Sequence, residues 1–174
     1  SLHDALPIYL QTIGAQAFEQ NQLSGTLTIP SSVTQIGEGA FVNCSGFTGN
    51  LTIPGRVRKI ESQSFVGCSG FTSLTIENGV TIIDFRAFAD CSGFTGTLTI
   101  PSSVTQIKEY AFDGCSGFTG TLNIPSSVTL IKDYAFKGCN GFTSVRVENT
   151  IPPALNSTAF DGCNNITSIL VPSS

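Results

Sequence analysis

Apolar and polar positions alternate along this chain in a pattern that restarts at a near-constant interval. Leu27-Thr28-Ile29, Leu51-Thr52-Ile53, Leu74-Thr75-Ile76, Leu98-Thr99-Ile100 and Leu122-Asn123-Ile124 all read apolar, polar, apolar. That is the mark of a short strand with one face buried. The units start at Leu27, Leu51, Leu74, Leu98, Leu122, Val145 and Ile169, with steps of 24, 23, 24, 24, 23 and 24. A partial earlier unit supplies Leu10, Ile13, Ala17 and Phe18. A fixed period of this length means one supersecondary element per unit, stacked on its neighbours. Pro30, Pro54, Pro101, Pro125 and Pro172 follow the strands. Proline lacks the N–H that a ladder needs, so each strand is predicted to end there. Val33 and Ile36 then point inward again from an extended segment.

The second half of each unit predicts a short helical turn. Ile36, Ala40, Phe41 and Cys44 fall at i, i+4, i+5 and i+8, one face of a helix. Phe41, Phe65, Phe88, Phe112 and Phe136 repeat as a core ladder, and Phe47 and its equivalents turn back into the core. Gly46, Gly70, Gly93, Gly117 and Gly141 suit a left-handed residue that closes the helix, with Asn165 as second choice in the last unit. Glu38, Glu61, Asp84, Glu109 and Asp133 recur where the turn starts, where a helix dipole favours them.

Cys44, Cys68, Cys91, Cys115, Cys139 and Cys163 invite a disulfide framework by their even count. The spacing argues for a ladder of buried thiols instead. One cysteine per unit, three after the core Phe, is a packing position, and stacked side chains point the same way. A disulfide needs Cβ vectors turned toward each other. Metal binding has no CxxC pair to support it.

Composition removes several function classes. The net charge is −4 and the basic residues are scattered, so no nucleic-acid footprint appears. No apolar run approaches the roughly 18 residues that span a bilayer. Residues 1–8, Ser-Leu-His-Asp-Ala-Leu-Pro-Ile, fit nothing that follows. The codons tcc-cta-cac-gac-gct-ctt-ccg-atc of a common sequencing adapter encode them, so they read as a translated adapter and fall outside fold reasoning. The repeat region is then 9–174. With no methionine and a last unit that stops part-way, it reads as truncated at both ends. No secretory signal opens it.

Chemistry is hard to find. His3 is the single histidine and lies in the octapeptide, so a nucleophile has no imidazole base. Phosphate-binding glycine motifs are absent, and no carboxylate pair stands out for glycoside hydrolysis. Asn43, Asn50, Asn156 and Asn165 head formal glycosylation sequons, which chance explains in a chain so rich in Asn, Ser and Thr unless its source is eukaryotic. No catalytic residue, metal site or cofactor is expected.

The combined pattern of LTIP, V-x-x-I, A-F-x-x-C and G-F, as in residues 27–49, resembles the BspA-like leucine-rich repeats over residues 9–174. The resemblance implies an α/β repeat solenoid of about seven coils. It would be a right-handed leucine-rich-repeat superhelix with a short concave strand and a short convex helical turn per coil. It also implies an extracellular or cell-surface adhesin or interaction module that binds a protein or matrix ligand. Asn21, where a cysteine belongs, and the Pro152-Pro153 insertion depart from the pattern.

Partner information is expected where the repeat varies. The concave strand residues facing away from the core are Thr26, Thr28, Asn50, Thr52, Ser73, Thr75, Thr97, Thr99, Thr121, Asn123, Ser144 and Arg146, then Ser168 and Leu170. Arg56, Arg58, Lys59, Phe85 and Arg86 are candidate anchors, and Glu77 and Glu148 stand where other units have proline. A hydroxyl row of this kind also fits ice, since stacked strands lie about 4.8 Å apart. The breaks at Asn123, Arg146 and Leu170 count against that. Glycan binding and a purely structural spacer are further alternatives.

Overall fold

A computed structural model describes residues 9–172. The octapeptide, with its adapter reading, lies outside the described residues. The chain winds as a parallel β-solenoid, and each coil has three sides. Strands are numbered β1 to β13 along the chain.

The first side is broad. It carries β2 (Gly25–Thr26), β4 (Phe47–Ile53), β6 (Phe71–Ile76), β9 (Gly120–Ile124), β11 (Phe142–Val147) and β13 (Ser168–Leu170). They form two separate three-stranded sheets, β2-β4-β6 and β9-β11-β13. The coil at Leu98 contributes only an isolated bridge from Gly96 to Phe118. Pro54 and Pro125 stand just past β4 and β9, as predicted, whereas β2 ends at Thr26, short of Pro30, and no strand precedes Pro101. The carbonyls of Pro30, Pro54, Pro101 and Pro125 accept turn bonds from Val33, Val57, Val104 and Val128 at 2.9–3.0 Å.

The second side is narrow. Two-residue strands β1 (Thr12–Ile13) and β3 (Gln35–Ile36) pair with each other. A five-stranded sheet joins β5 (Lys59–Ile60), β7 (Ile82–Ile83), β8 (Gln106–Ile107), β10 (Leu130–Ile131) and β12 (Ala154–Leu155). These are the extended segments expected around Val33 and Ile36.

The third side departs from the sequence expectation, because no helix forms among the described residues. The stretch after Ile36 is a run of tight turns with left-handed residues four apart: Gly39 and Asn43, Gln63 and Gly67, Arg86 and Asp90, Tyr110 and Gly114, Tyr134 and Gly138. Its amides divide their bonds. Those of Ala40, Val42 and Cys44 bond within the turn, to Gly37, Gly39 and Phe41. Those of Gly39, Phe41 and Asn43 reach the next coil, at Ser62, Ser64 and Val66, over 3.0, 2.8 and 2.7 Å. A helix would keep all of these bonds to itself. The inward spacing of Ile36, Ala40, Phe41 and Cys44 is real, but stacking supplies an alternative set of acceptors. Without a helix there is no dipole to favour the acidic residues; Glu61, Asp84, Glu109 and Asp133 find side-chain partners instead.

The glycine reading is corrected too. Gly46, Gly70, Gly93, Gly117 and Gly141 are not among the left-handed residues. They are small because the preceding coil is close: a Cβ on Gly70 would collide with the Phe47 carbonyl, and one on Gly141 with that of Phe118. Asn165, at the same place in the last coil, is likewise not left-handed, and its Nδ2 donates to the Asn140 carbonyl at 2.7 Å.

The core is the expected double ladder of phenylalanines. Phe41, Phe65, Phe88, Phe112 and Phe136 are fully buried, with successive rings stacked at 5.2–5.6 Å. Phe47, Phe71, Phe94, Phe118 and Phe142 form the second row, at 5.2–6.5 Å. Burying each of these side chains contributes on the order of 2–3 kcal/mol.

Candidate interaction surface

The six cysteines are free and buried. Each thiol donates to the carbonyl of a core Phe in the preceding coil, Cys44 to Phe18 at 2.8 Å, Cys68 to Phe41 at 2.9 Å and so on to Cys163 and Phe136 at 2.9 Å. Burial pushes every thiol above its ordinary value, against the smaller pull of the backbone amides. A thiol held protonated is neither nucleophile nor metal ligand. Among the described residues, no group of three or more His, Cys, Asp or Glu is placed to hold a metal ion.

The narrow and turn sides hold the candidate anchors, and most of them serve the fold. The Lys59 ammonium lies 2.6 Å from Asp84 and 2.7 Å from Glu61, and Asp84 first, then Glu61, hold its pKa above the ordinary value. Arg58 donates to the Gly79 carbonyl at 3.4 Å. Arg86 pairs with Asp90 at 3.4 Å while its backbone sits at φ 52°. Phe85 meets Tyr110 edge-on at 6.1 Å. Of the five, Arg56 alone has no such partner among the described residues; it lines a shallow cleft with Ser31, Ser32 and Glu77. Sequence reasoning missed the neighbours. Tyr110 and Tyr134 stack at 4.9 Å, and Lys137 lies 5.6 Å over the Tyr134 ring. The signal was there: both tyrosines stand two before a core Phe, in line with Arg86. Asp133 accepts from Thr158 and Asn156, each at 2.7 Å, and these bonds lower its pKa.

The strand residues predicted to face outward are exposed or half-buried on the broad side. Their organisation differs between the two sheets. In the first, Asn50 is a hub: its Nδ2 donates to Thr52 at 2.8 Å, while its Oδ1 accepts from Ser73 at 2.9 Å and Thr75 at 3.2 Å. Glu77, in a proline position, accepts from the Gly55 amide at 2.9 Å. Thr26 and Thr28 lie on the coil before this hub. In the second sheet only Thr121 and Ser144 bond to each other, at 2.7 Å. Among the described residues, the side chains of Asn123, Arg146 and Glu148 make no hydrogen bond or ion pair, nor do those of Thr97 and Thr99 beside them. Thr97, Thr99, Asn123 and Glu148 line one cleft of about 320 Å³. Arg146 and Glu148 line a second of about 550 Å³ with Leu170. Glu148 lines both.

No helix among the described residues is long and apolar enough to cross a membrane. No curated protein matches the chain. Several solved structures share its fold. A leucine rich cell surface protein from Faecalibacterium prausnitzii is 24% identical with a TM-score of 0.66, and the match covers 97% of this chain and 53% of that one. A leucine-rich repeat protein from Bacteroides ovatus is 26% identical with a TM-score of 0.65, over 91% of this chain and 39% of that one. The T. pallidum leucine rich repeat protein is 22% identical with a TM-score of 0.65, over 96% and 64%. The chain thus spans from about two fifths to two thirds of the length of these proteins. The profile of the BspA type leucine rich repeat region matches residues 5–119 and 118–174, in six copies. This chain belongs to the BspA-type leucine-rich-repeat family.

Proposed function

We propose that the chain is a non-catalytic binding scaffold, displayed at a cell surface, that engages a protein or matrix partner through its broad strand side. The observation that carries this reading is the set of polar side chains there, gathered around one cleft region, with no partner among the described residues. In the first sheet the outward polar side chains are tied to one another through Asn50. The second leaves Asn123, Arg146 and Glu148 facing a cleft. Hot spots are sparse and favour arginine, and Arg146 stands among small neutral neighbours. The names of similar structures, one of them a cell surface protein, support the location.

Ice binding needs regularity, and two observations weigh against it: the broad side is split into two sheets, and the hydroxyls of Thr52, Ser73, Thr75, Thr121 and Ser144 are committed to Asn50 or to each other. A glycan ligand and a plain spacer are weaker alternatives: the cleft linings hold no aromatic ring for a sugar to stack on, and a spacer has no use for an unpaired cation and anion.

The test is solid-phase binding to purified matrix and surface proteins, with thermal hysteresis measured on the same sample. Saturable binding that weakens at least tenfold in Arg146→Ala and survives Phe85→Ala supports the proposal. Thermal hysteresis abolished by Thr75→Lys or Thr99→Lys, but kept in Arg146→Ala, would replace it with ice binding.

A further inference from the structure

The two clefts of the second sheet carry information about the chemistry of the partner. Arg146 and Glu148 lie two apart at the end of β11, both exposed, with opposite charges. They do not pair with each other: neither appears in any of the ion pairs made by Lys59, Arg86 and Lys132. In extended backbone, residues two apart project to the same side with a spacing of about 6.6 Å. The arginine has Asn123 on one flank and Leu170 on the other, in register. The clefts on either side of Glu148 extend this line from Thr97 and Thr99 past Arg146.

We infer that this cleft binds an extended peptide segment carrying one acidic and one basic side chain at positions i and i+2. The inference rests on the proposed strand-side binding and narrows it. An extended ligand shares the same-side period of the strand, so its carboxylate meets Arg146 as its cation meets Glu148. Asn123 and the hydroxyls of Thr97 and Thr99 have both donors and acceptors for a peptide backbone. The linings of both clefts contain no aromatic ring, so a sugar has no flat apolar platform there. A polyanion would meet Glu148 unpaired, and a polycation Arg146.

The contrast with the first sheet supports this reading. Glu77 occupies the same repeat position as Glu148 but is spent on the Gly55 amide. No cation follows the pattern there, since Thr75 stands where the later coil has Arg146. The charged pair therefore belongs to one coil alone, and the ligand is fixed at one place along the solenoid.

The experiment is selection from a phage-displayed library of random dodecapeptides, with the whole chain as bait. The wild-type protein is expected to enrich peptides with an acid and a base two apart, in one fixed order. The double variant Arg146→Glu/Glu148→Arg is expected to enrich the opposite order and to lose at least tenfold in affinity for the wild-type peptides. Both residues are exposed, so the melting temperature serves as the check on folding. Glu148→Gln, a milder change, should relax the basic position of the consensus and keep the acidic one. Enriched peptides without the charge pair, or with the same order for both proteins, overturn the inference. If their binding is lost in Thr75→Lys instead, strand-side binding stands while this cleft is wrong. If no enriched peptide responds to Thr75→Lys, Thr99→Lys or the charge swap, both fall. No enrichment, or binding on a printed glycan array that the charge swap abolishes, overturns the peptide assignment.

Discussion

The broad and narrow strand sides of this solenoid are built from the same coils and yet behave differently. On the narrow side each pair keeps one offset through its length. Lys59 and Ile60 pair with Ile82 and Ile83, an offset of 23, and Leu130 and Ile131 pair with Ala154 and Leu155, an offset of 24. In two pairs of the broad side, β4 with β6 and β9 with β11, the offset changes along the strand. The Phe that opens a coil pairs with the left-handed glycine of the coil before: Phe71 with Gly49 and Phe142 with Gly120, an offset of 22. The core positions Leu51 and Leu74, or Leu122 and Val145, then stack at 23. A slip of one is absorbed as a bulge. β11 and β13, whose coils both lack that glycine, pair at 24 throughout. Leu27 with Leu51, and Leu98 with Leu122, are also 24 apart, but both coils of each pair carry the glycine, and there the ladder stops after Thr26 or at the lone bridge from Gly96. One glycine per coil, in FTG but not in FTS, thus decides where the broad side continues as a sheet. The narrow side breaks once, between β3 and β5, at the coil where Arg58 replaces the threonine found in its neighbours.

Both sides lean on the same phenylalanine rows, so a cavity there should undo them together. Phe112→Ala is expected to cost about 3–5 kcal/mol in urea unfolding, with the amides of β8 and β9 losing exchange protection in parallel. Phe85→Ala, on the turn side, should cost about 0.5 kcal/mol. Equal losses would mean that the two sides do not share one core.

Alkali offers a gentler way to load the structure. The folded thiols are raised above their ordinary 9.0, while those of the unfolded chain are not. Above about pH 9 the unfolded chain releases protons that the fold retains, so stability is full below that pH and falls as pH rises. Each deeply buried thiol should contribute about 1.4 kcal/mol per pH unit to the decline. Urea midpoints from pH 8 to 10 would show it, and Cys115→Ala should flatten the slope by one thiol's share. Six free thiols should titrate on unfolding without reductant.

The smallest effect tests the comparison itself. Deleting Gly120 reduces the offset between Leu98 and Leu122 from 24 to 23, the value at which β4 and β6 pair. The amides around Thr97–Ile100 should then gain slow exchange, with a stability change below about 1 kcal/mol. The narrow side should be unaffected. No new protection on the broad side would show that the glycine is not what ends the ladder.

Much of this was legible in the residues. The alternation in Leu51-Thr52-Ile53, the proline stops and the two Phe rows needed only burial and ladder chemistry to read. The helical turn was misread because an i, i+4, i+5, i+8 face records which side chains point inward, not where the amides bond. Gly70 was misread for a related reason: a small residue serves close approach as well as positive φ, and only the position of the neighbouring coil separates the two. The strand residues expected to face outward are exposed or half-buried, as the alternation implies, but they divide between two sheets. That Asn50 gathers its neighbours while Arg146 and Glu148 stand alone depends on distances between coils, which a repeat pattern does not contain.

The shared bonding of the turn run has a mechanical consequence. The amides of Gly39, Phe41 and Asn43 hold the next coil along the solenoid axis. Tension between the two ends would load these bonds in series, one coil boundary at a time, and not all together in shear. Each boundary that opens releases one coil, about 80 Å of contour at the reach of an extended chain. Under load the solenoid would lengthen in repeat-sized steps, while the coils not yet opened keep their surface intact.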